Sequence, residues 1–260
     1  MSQQDNVDYW NHRAKAFQND PDKVTHQDLF QKKLELDFLD RHLAPGMNVL
    51  EVGCGNGFVT EHISRGVNKI DAFDQSEAMI GLCRERLAGR SNVNLFVHSL
   101  PDIDEKLFDI DYDVVLSVRV IINIFGNQNQ KMAMQWMASK VRPGGKLILM
   151  EGSAEGLAAI NAVRTRMGID ALTAPHYNTN LSRDDVLQAI PKHFTLLDDH
   201  GFWVYDLVTR ILYPLMNKGE TLQYNTVLHE TAHFLDLIIS SDGKCDLSRM
   251  LCLVFKNTAS

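Results

Sequence analysis

Short apolar runs alternate with longer amphipathic stretches along the first half of the chain. The apolar runs predict five β-strands, at Asn48–Val52, Lys69–Asp74, Val93–His98, Tyr112–Val118 and Lys146–Met150. The amphipathic stretches predict helices at Phe58–Arg65, Ser76–Leu87 and Gln128–Val141. Because strands that alternate with helices form parallel sheets, we predict a doubly wound α/β fold, with its ligand site beyond the carboxyl ends of the strands.

The pattern becomes weaker after Met150. Two further strands are predicted, at Phe194–Asp198 and Leu251–Lys256, and a largely helical insertion separates them, from about Tyr205 to Ile238. Between Met150 and Phe194 the sequence predicts helices at Ser153–Met167 and Arg183–Ile190, with a loop at Ala174–Asn180. Insertions beyond the strand ends are where such a fold builds a substrate pocket, so we expect them to form a substrate lid.

Composition and charge narrow the classes of function. The 260 residues are 45% hydrophobic and carry a formal net charge of −7. Binding to nucleic acid phosphates needs a concentrated basic face, so we predict no nucleic-acid partner. No apolar run approaches the roughly 20 residues of a membrane helix, and residues 1–8 do not resemble a signal peptide. We therefore predict no membrane partner and a cytoplasmic location, which also suits cysteines without a CxxC pair, namely Cys54, Cys83, Cys245 and Cys252.

A glycine-rich turn follows the first predicted strand. Gly53, Gly55 and Gly57 permit a tight turn and a close approach of the backbone to a ligand. Asp74 ends the next strand, where a carboxylate can accept both hydroxyls of a ribose. The turn has the spacing G-x-G-x-G, whereas dinucleotide sites have G-x-G-x-x-G, so hydride transfer is a distant alternative. We predict a nucleoside-containing cofactor at this edge of the sheet.

The segment Val49-Leu-Glu-Val-Gly-Cys-Gly-Asn-Gly57 resembles the first motif of class I S-adenosylmethionine-dependent methyltransferases. Val141-Arg-Pro-Gly-Gly-Lys-Leu147 is similar to the segment that enters the fifth strand of that family. The resemblance implies a Rossmann-like, doubly wound, seven-stranded sheet with an antiparallel last strand. It also implies S-adenosyl-L-methionine as the cofactor and methyl transfer as the reaction.

The same resemblance implies which residues bind the cofactor. Glu51 and the three motif glycines would surround its methionine part, and Asp74 would bind its ribose. Ser99 and Leu100 would flank its adenine, and Gln75 is a further cofactor-binding candidate. We predict a single domain over residues 1–260. Residues 1–45 would form an N-terminal lid with helices and residues 46–150 the cofactor-binding core. Residues 151–246 would form the substrate-side insertions with the sixth strand, and residues 247–260 the last strand.

A narrower resemblance concerns the remaining polar motifs. They look like those of bacterial methyltransferases associated with surface-polysaccharide or nonulosonic-sugar biosynthesis, which would imply a sugar-like acceptor. The motifs are Tyr9-Trp10 with Arg13, Arg119-Val-Ile-Ile-Asn123 with Gln128, Glu151-Gly-Ser153, Asn161 with Arg164, and His176-Tyr-Asn178.

Methyl transfer from a sulfonium is an in-line displacement, so the protein must align the acceptor and exclude water. A hydroxyl or ammonium acceptor must also lose a proton, for which imidazole is suited near neutral pH. His176 is the first candidate because it lies in a polar loop after the fifth strand, and His200, His229 and His233 are the others. No Asn/Asp-Pro-Pro-Tyr motif follows the fourth strand, which argues against adenine or glutamine as acceptor.

Two arginines are further candidates. Arg119 interrupts an apolar run after the fourth strand, where a charge is costly unless it is paired or faces a ligand. The sequence leaves open an ion pair with an acid such as Glu151 and a contact with the cofactor or an acidic acceptor. Arg13 and Tyr9, near the start of the chain, could either close over the cofactor carboxylate or belong to a surface helix.

A competing pattern is His229-Glu-Thr-Ala-His233, which matches the zinc motif H-E-x-x-H. A zinc hydrolase needs a third ligand, but position 236 is Asp and neither histidine nor glutamate follows the motif. We therefore predict no metal, and expect both histidines to lie on the inner face of a helix that could line the acceptor pocket. The favoured function is O- or N-methylation of a small, sugar-like or amino-acid-like molecule. A protein that binds the cofactor without transferring its methyl group is the alternative.

Overall fold

The computed structural model describes residues 3–100, 108, 111–217, 221–239 and 246–259, which form one seven-stranded sheet with flanking helices. The strands run in the order β3-β2-β1-β4-β5-β7-β6. Their bounds are β1 Asn48–Val52, β2 Lys69–Asp74, β3 Val93–Val97, β4 Tyr112–Val118, β5 Val141–Gly152, β6 Phe194–His200 and β7 Met250–Asn257. Cys245 of the predicted cysteine set lies outside the described residues.

The topology confirms the predicted sheet. Strands β1 to β5 pair in parallel, whereas β7 pairs antiparallel with both β5 and β6. The chain moves from β1 outward to β2 and β3, and then returns to place β4 on the other side of β1. The carboxyl ends of β1 and β4 therefore form the switch point of the sheet, where ligands bind in this class of fold.

The helices occupy most of the predicted positions. Strand β5 begins at Val141, earlier than predicted, because Val141 pairs with Tyr112 before a register shift in the ladder. The helical bounds are α1 Gln3–Ala16, α2 Leu29–Asp40, α3 Phe58–Ile63, α4 Glu77–Arg86, α5 Asn127–Ser139, α6 Ala154–Arg166, α7 Arg183–Ala189, α8 Trp203–Asp206, α9 Tyr213–Met216 and α10 Val227–Ile239. A π-helical turn, Leu207–Leu212, joins α8 to α9.

Both faces of the sheet are buried in apolar clusters. In β1 and β4, Leu50 and Val115 belong to the cluster that also contains residues of α5 and α7. Val49 and Val114 belong to the opposite cluster, together with residues of α2 and α4. All four side chains are fully buried. Burial on both faces explains why the central strands are continuously apolar rather than alternating.

The predicted insertion between the last two strands is helical. Its helix α10 packs against α8 and α2, so it covers part of one face of the domain. No helix within the described part of the chain is long and apolar enough to span a membrane.

Helix α6 begins where the chain is closely packed against the segment before β7. Ser153 caps the helix, and its Oγ accepts a hydrogen bond from the Gly156 amide at 3.0 Å. A Cβ built on Gly156 would lie 1.6 Å from the carbonyl oxygen of Ser248. Only glycine fits at this position without movement of one of the two backbones.

We expect Gly156→Ala to lower the free energy of unfolding by about 3 kcal/mol, because the added methyl group collides with a backbone carbonyl. Gly81→Ala is the matched control: Gly81 is also helical, its Cβ would meet nothing within 4 Å, and alanine should stabilise the protein by about 1 kcal/mol. Urea unfolding of both variants measures these changes. Equal stability of the two variants would contradict the packing argument.

Candidate active site

A large cleft opens at the carboxyl ends of β1, β2 and β4, with a volume of about 470 Å³. We divide its wall into two named parts. The glycine side consists of Glu51, Gly53, Gly55, Asp74, Gln75, His98, Ser99 and Leu100. The cationic side consists of His26, Gln31, Lys32, Glu35, Arg119, Arg210, Tyr224 and Arg249.

The motif glycines form the turn between β1 and α3. Gly53, Gly55 and Gly57 have φ angles of +67°, +53° and +77°, in the left-handed region that favours glycine. A Cβ on Gly53 would lie 2.4 Å from a methyl group of Val120. Gly57 packs against helix α4 instead, where its Cβ would lie 2.5 Å from Cys83 Sγ, and it does not line the cleft. Gly57 therefore lies at the start of α3 and away from the cleft wall, where the predicted contact with the cofactor would be made.

The Asp74 carboxylate joins the end of β2 to this turn. Its Oδ2 accepts a hydrogen bond from the Gly55 amide at 2.9 Å, and its Oδ1 accepts one from the Ser76 amide at 2.8 Å. Burial raises the pKa of Asp74 to about 6 despite these bonds. Each carboxylate oxygen has a second lone pair, so Asp74 can hold the turn and still accept hydrogen bonds from a ligand.

Glu51 is the second buried acid of the glycine side. Burial raises its pKa to about 8. Its Oε2 has no hydrogen-bond partner within the described ranges of the chain. A buried carboxylate with a free oxygen is costly, and a positive group in the cleft would compensate for that cost.

The sequence left open an ion pair of Arg119 with an acid such as Glu151, and the structure gives that role to a different acid. The Glu151 carboxylate lies under the turn after β4, where Oε1 accepts from Ser117 Oγ at 2.8 Å and from the Ile121 amide at 3.1 Å. Arg119 instead forms a 2.6 Å ion pair with Glu35 of helix α2 and lines the cleft. Its φ of +58° directs the chain away from the strand immediately after β4.

The cationic side is built around Gln31 of helix α2. Gln31 Nε2 donates to Glu35 Oε1 at 3.4 Å, and its Oε1 accepts from Arg249 Nη2 at 3.0 Å and from Arg210 Nη2 at 3.5 Å. Asp206 also bonds to Arg249 Nε, at 2.9 Å. The network therefore joins α2, the π-helical turn and the residue before β7 into one wall.

Sequence reasoning missed the charged residues of α2. The available signal was their spacing, since Asp28, Lys32 and Glu35 recur on one helical face at intervals of four and three residues. All three are almost completely buried, with at most 3% of each residue exposed. Buried charges at helical spacing favour a polar site over a solvated surface, because charged side chains are rarely buried without partners.

His26, also missed, is the histidine of the cationic side. Its Nδ1 accepts a hydrogen bond from the Asp28 amide at 3.2 Å, which leaves Nε2 as the protonated nitrogen of the neutral ring. Burial lowers its pKa well below the usual value, and four nearby cations lower it further: Arg119, Arg210, Arg249 and Lys32. The ring is therefore neutral at pH 7.

Three predicted residues lie beside the cleft rather than in its wall. The Tyr9 ring packs against Tyr177 at a centroid distance of 4.5 Å, and exposed His176 contacts both rings at the rim. Arg13 donates from Nε to the Val24 carbonyl at 2.8 Å and lies over the Phe17 ring. Arg13 does not line the cleft, because two of its nitrogens bond to the carbonyls of Val24 and Lys23, and its contact with a cofactor carboxylate stays a prediction.

The two histidines of the H-E-x-x-H pattern also lie outside the cleft wall. His229 is paired with Thr226, and His233 Nε2 lies 2.8 Å from Asp37 Oδ2 of helix α2. The prediction that they could line the acceptor pocket is therefore wrong, because their helix packs on α2 and turns them to other partners. Across the described ranges, no group of three or more His, Cys, Asp or Glu side chains could hold a metal ion. His200, the remaining histidine candidate, stacks on Phe38.

The sequence match to a known family includes the glycine side of the cleft and covers part of the chain. Residues 49–145 match a family model described as a methyltransferase domain. Ubiquinone biosynthesis O-methyltransferase of Dictyostelium discoideum is 27% identical over 128 residues, which cover 45% of this chain and 39% of the relative. Ribosomal protein L11 methyltransferase of Burkholderia orbicola is 30% identical over 135 residues, 50% of this chain and 41% of the relative. The chain thus spans about two fifths of the length of each.

The fold extends further than the sequence match. The crystal structure of N-methyltransferase NodS from Bradyrhizobium japonicum WM9, in complex with S-adenosyl-L-homocysteine, superimposes with a TM-score of 0.59 at 15% identity. The superposition covers 96% of this chain and 99% of that one. These comparisons confirm the resemblance to methyltransferases over residues 49–145 and the predicted fold. The ligand of the NodS structure, S-adenosyl-L-homocysteine, is the product of the expected cofactor after methyl transfer. The narrower resemblance to polysaccharide-associated methyltransferases stays a prediction.

The buried Glu51 carboxyl makes the free energy of unfolding depend on pH, and this dependence can be measured without a ligand. Its pKa rises from 4.5 to about 8 on folding, so between these values the folded protein holds a proton that the unfolded chain releases. The free energy of unfolding therefore falls as pH rises through this window, by about 1.4 kcal/mol per pH unit from this group. We expect Glu51→Gln to remove that contribution, as measured by urea unfolding from pH 5 to 8. The control Glu85→Gln, on the exposed face of α4, should keep the wild-type slope, and an unchanged slope in Glu51→Gln would refute the assignment.

Proposed function

We propose that this chain, which carries a class I S-adenosylmethionine-dependent methyltransferase domain, transfers the methyl group of that cofactor to a small molecule bound at the cationic side of the cleft. The observation that carries the proposal is one continuous cleft with two chemically different walls. Acids and glycines line one wall, and most of the cations line the other. A cofactor and an acceptor can thus meet in one cleft.

The glycine side fits S-adenosylmethionine. The free Glu51 oxygen can accept a hydrogen bond from the ammonium group of the methionine part. The remaining lone pairs of Asp74 can accept the ribose hydroxyls, and Ser99 with Leu100 would line the adenine site. When bound, the cofactor supplies a methyl group on a positively charged sulfur.

Arg119 is the residue that we assign to the cofactor carboxylate, in place of Arg13. Its neighbour Val120 packs against Gly53, while its guanidinium is paired with Glu35 on the cationic side. It therefore stands where the two walls meet. One of its nitrogens, Nη2, is used by Glu35, which leaves further donors in a geometry that suits a carboxylate.

The protein's contribution to the reaction is alignment of the acceptor and exclusion of water. Aromatic side chains line the cleft beside both walls and remove solvent from it: Trp10, Phe58, Phe73 and Tyr177. His26 is a positioning residue on the acceptor side. Because its Nδ1 accepts the Asp28 amide hydrogen, its Nε2–H is the group available to orient an acceptor oxygen.

A small acceptor is supported by the limited volume of the cleft. The acceptor must share about 470 Å³ with the cofactor. One relative is named for a protein, ribosomal protein L11, whereas another is named for ubiquinone biosynthesis, so similarity alone does not choose between acceptor classes. The buried, charged lining of the cationic side favours a small polar molecule, because a protein chain would need a wider opening.

Calorimetric titration with S-adenosylmethionine and S-adenosylhomocysteine tests the cofactor assignment. We expect micromolar binding to the wild type, at least a hundredfold weaker binding to Asp74→Ala because two charge-assisted hydrogen bonds are lost, and none to Gly55→Val. A Cβ on Gly55 already lies 3.3 Å from the Thr25 methyl group, and its φ is +53°, so valine there would distort the turn.

Asp184→Ala, on the exposed start of α7 and outside the cleft wall, is the matched control and should bind as the wild type does. Absence of binding by folded wild-type protein would overturn the proposal. Tight binding without methylated product from any small acceptor would favour a cofactor-binding protein that performs no transfer.

A further inference from the structure

We propose that the cationic side recognises its acceptor through an oxyanion group, a carboxylate or a phosphate, held by Lys32, Arg210 and Arg249. This inference rests on the proposed function, since it names the chemical class of the acceptor at the same site. It follows from the arrangement of charges and free donors on the wall.

The wall gathers more positive than negative charge. Lys32, Arg119, Arg210 and Arg249 line it against one lining carboxylate, Glu35. Two further acids, Asp28 and Asp206, bond to the arginines without lining the cleft. Four cations against three carboxylates leave an excess of one positive charge on this side.

Lys32 is the cation of the wall whose positive charge is least compensated by carboxylates. Its ammonium donates to the Asp22 backbone carbonyl and lies 4.5 Å from the centre of the Phe58 ring. Within the described part of the chain, it forms no ion pair with a carboxylate at 4 Å or less. Burial, followed by the charge of Arg119, lowers its pKa to about 8, and an anion in the cleft would reverse that shift.

The two arginines are fixed in place but retain donors. Arg249 uses Nε for Asp206 and Nη2 for Gln31, and Arg210 uses Nη2 for Asp28 and Gln31. Among the described residues, neither Nη1 atom donates to an acceptor, and Arg210 Nε is a buried donor without a hydrogen-bond partner. Two guanidinium groups that share one amide oxygen repel each other, so an anion between them would lower the energy of the arrangement.

The remaining polar groups of the wall are also donors. His26 offers Nε2–H, since Nδ1 is already bonded to the Asp28 amide. Tyr224 contributes a hydroxyl next to Arg210, whose guanidinium carbon lies 5.5 Å from the ring centre. The acceptor oxygens of the wall, on Glu35 and Gln31, already accept from its arginines and from Gln31 Nε2. A ligand that meets mainly free donors must supply acceptors, and carboxylate and phosphate oxygens supply several at once.

The cofactor strengthens this preference. S-adenosylmethionine carries an ammonium and a sulfonium against one carboxylate, so its binding adds positive charge to the cleft. With the ammonium opposite Glu51 and the carboxylate opposite Arg119, the sulfonium is the cofactor charge that the proposed contacts do not pair. An anionic acceptor would offset that charge and pair with Lys32 on the wall, whichever atom receives the methyl group.

The test titrates the full chain, saturated with S-adenosylhomocysteine, with inorganic phosphate, succinate and uncharged succinamide at constant ionic strength, with calorimetric detection. We expect both anions to bind and succinamide not to bind. Lys32→Met should weaken binding of the anions at least tenfold, and Arg249→Gln should do the same. The ratio of phosphate to succinate affinity identifies which oxyanion the wall prefers.

Lys33→Met is the matched control, because Lys33 is the exposed neighbour on the same helix and should leave anion binding unchanged. S-adenosylhomocysteine affinity within threefold of wild type in Lys32→Met confirms that the variant is folded. Equal binding of succinamide, no binding of either anion, or anion binding that survives in both Lys32→Met and Arg249→Gln would overturn the inference. If the wild type fails to bind S-adenosylhomocysteine, the proposed function fails, and the same anion titration of the unliganded protein then tests the wall by itself.

Discussion

The hydrogen bond from the Gly55 amide to the Asp74 carboxylate is the contact on which the cleft depends. It ties the turn after β1 to the end of β2 at 2.9 Å, and the left-handed glycines allow that turn to lie flat against the strand ends. Val120, packed on Gly53, joins β4 to the same point. Three neighbouring strands therefore end at one rigid edge, and the space above that edge is where a nucleoside cofactor fits.

A second set of contacts decides what can lie opposite the cofactor. Helix α2 presents Gln31, Lys32 and Glu35 toward the cleft. Arginines from three distant segments, Arg119, Arg210 and Arg249, bond to Gln31 or Glu35. The buried carboxyls of the glycine side and the buried cations of the opposite wall give the cleft a polarity along its length. Burial makes this polarity strong, since charges in a low-dielectric space interact more strongly than charges in water. The proposed acceptor class rests on that polarity more than on any single residue.

The fold and the glycine side could be predicted because their signals are local. Each central strand is an apolar run buried on both faces, and the turn glycines follow β1 immediately, so spacing in the sequence is spacing in the structure. Asp74 was predicted from its position at the end of β2, whereas Glu51 and Gln75 were predicted from the family resemblance, and all three line the cleft. His176 was assigned from its polar loop after the fifth strand and Arg13 from its position near the start of the chain, and neither position carries information about side-chain direction. Their actual partners, an aromatic rim and two backbone carbonyls, were set by how α1 docks on the domain.

The sequence by itself thus determined the order of strands and helices, the glycine turn and the acid that closes it, because short-range periodicity and backbone sterics suffice for these. Only the tertiary structure decided which charges share the opposite wall. Arg210 and Arg249 lie 179 and 218 residues from Gln31 in the chain, yet both bond to its side-chain amide oxygen. No periodicity links such residues, since their meeting depends on how α2, the π-helical turn and β7 pack around one buried sheet.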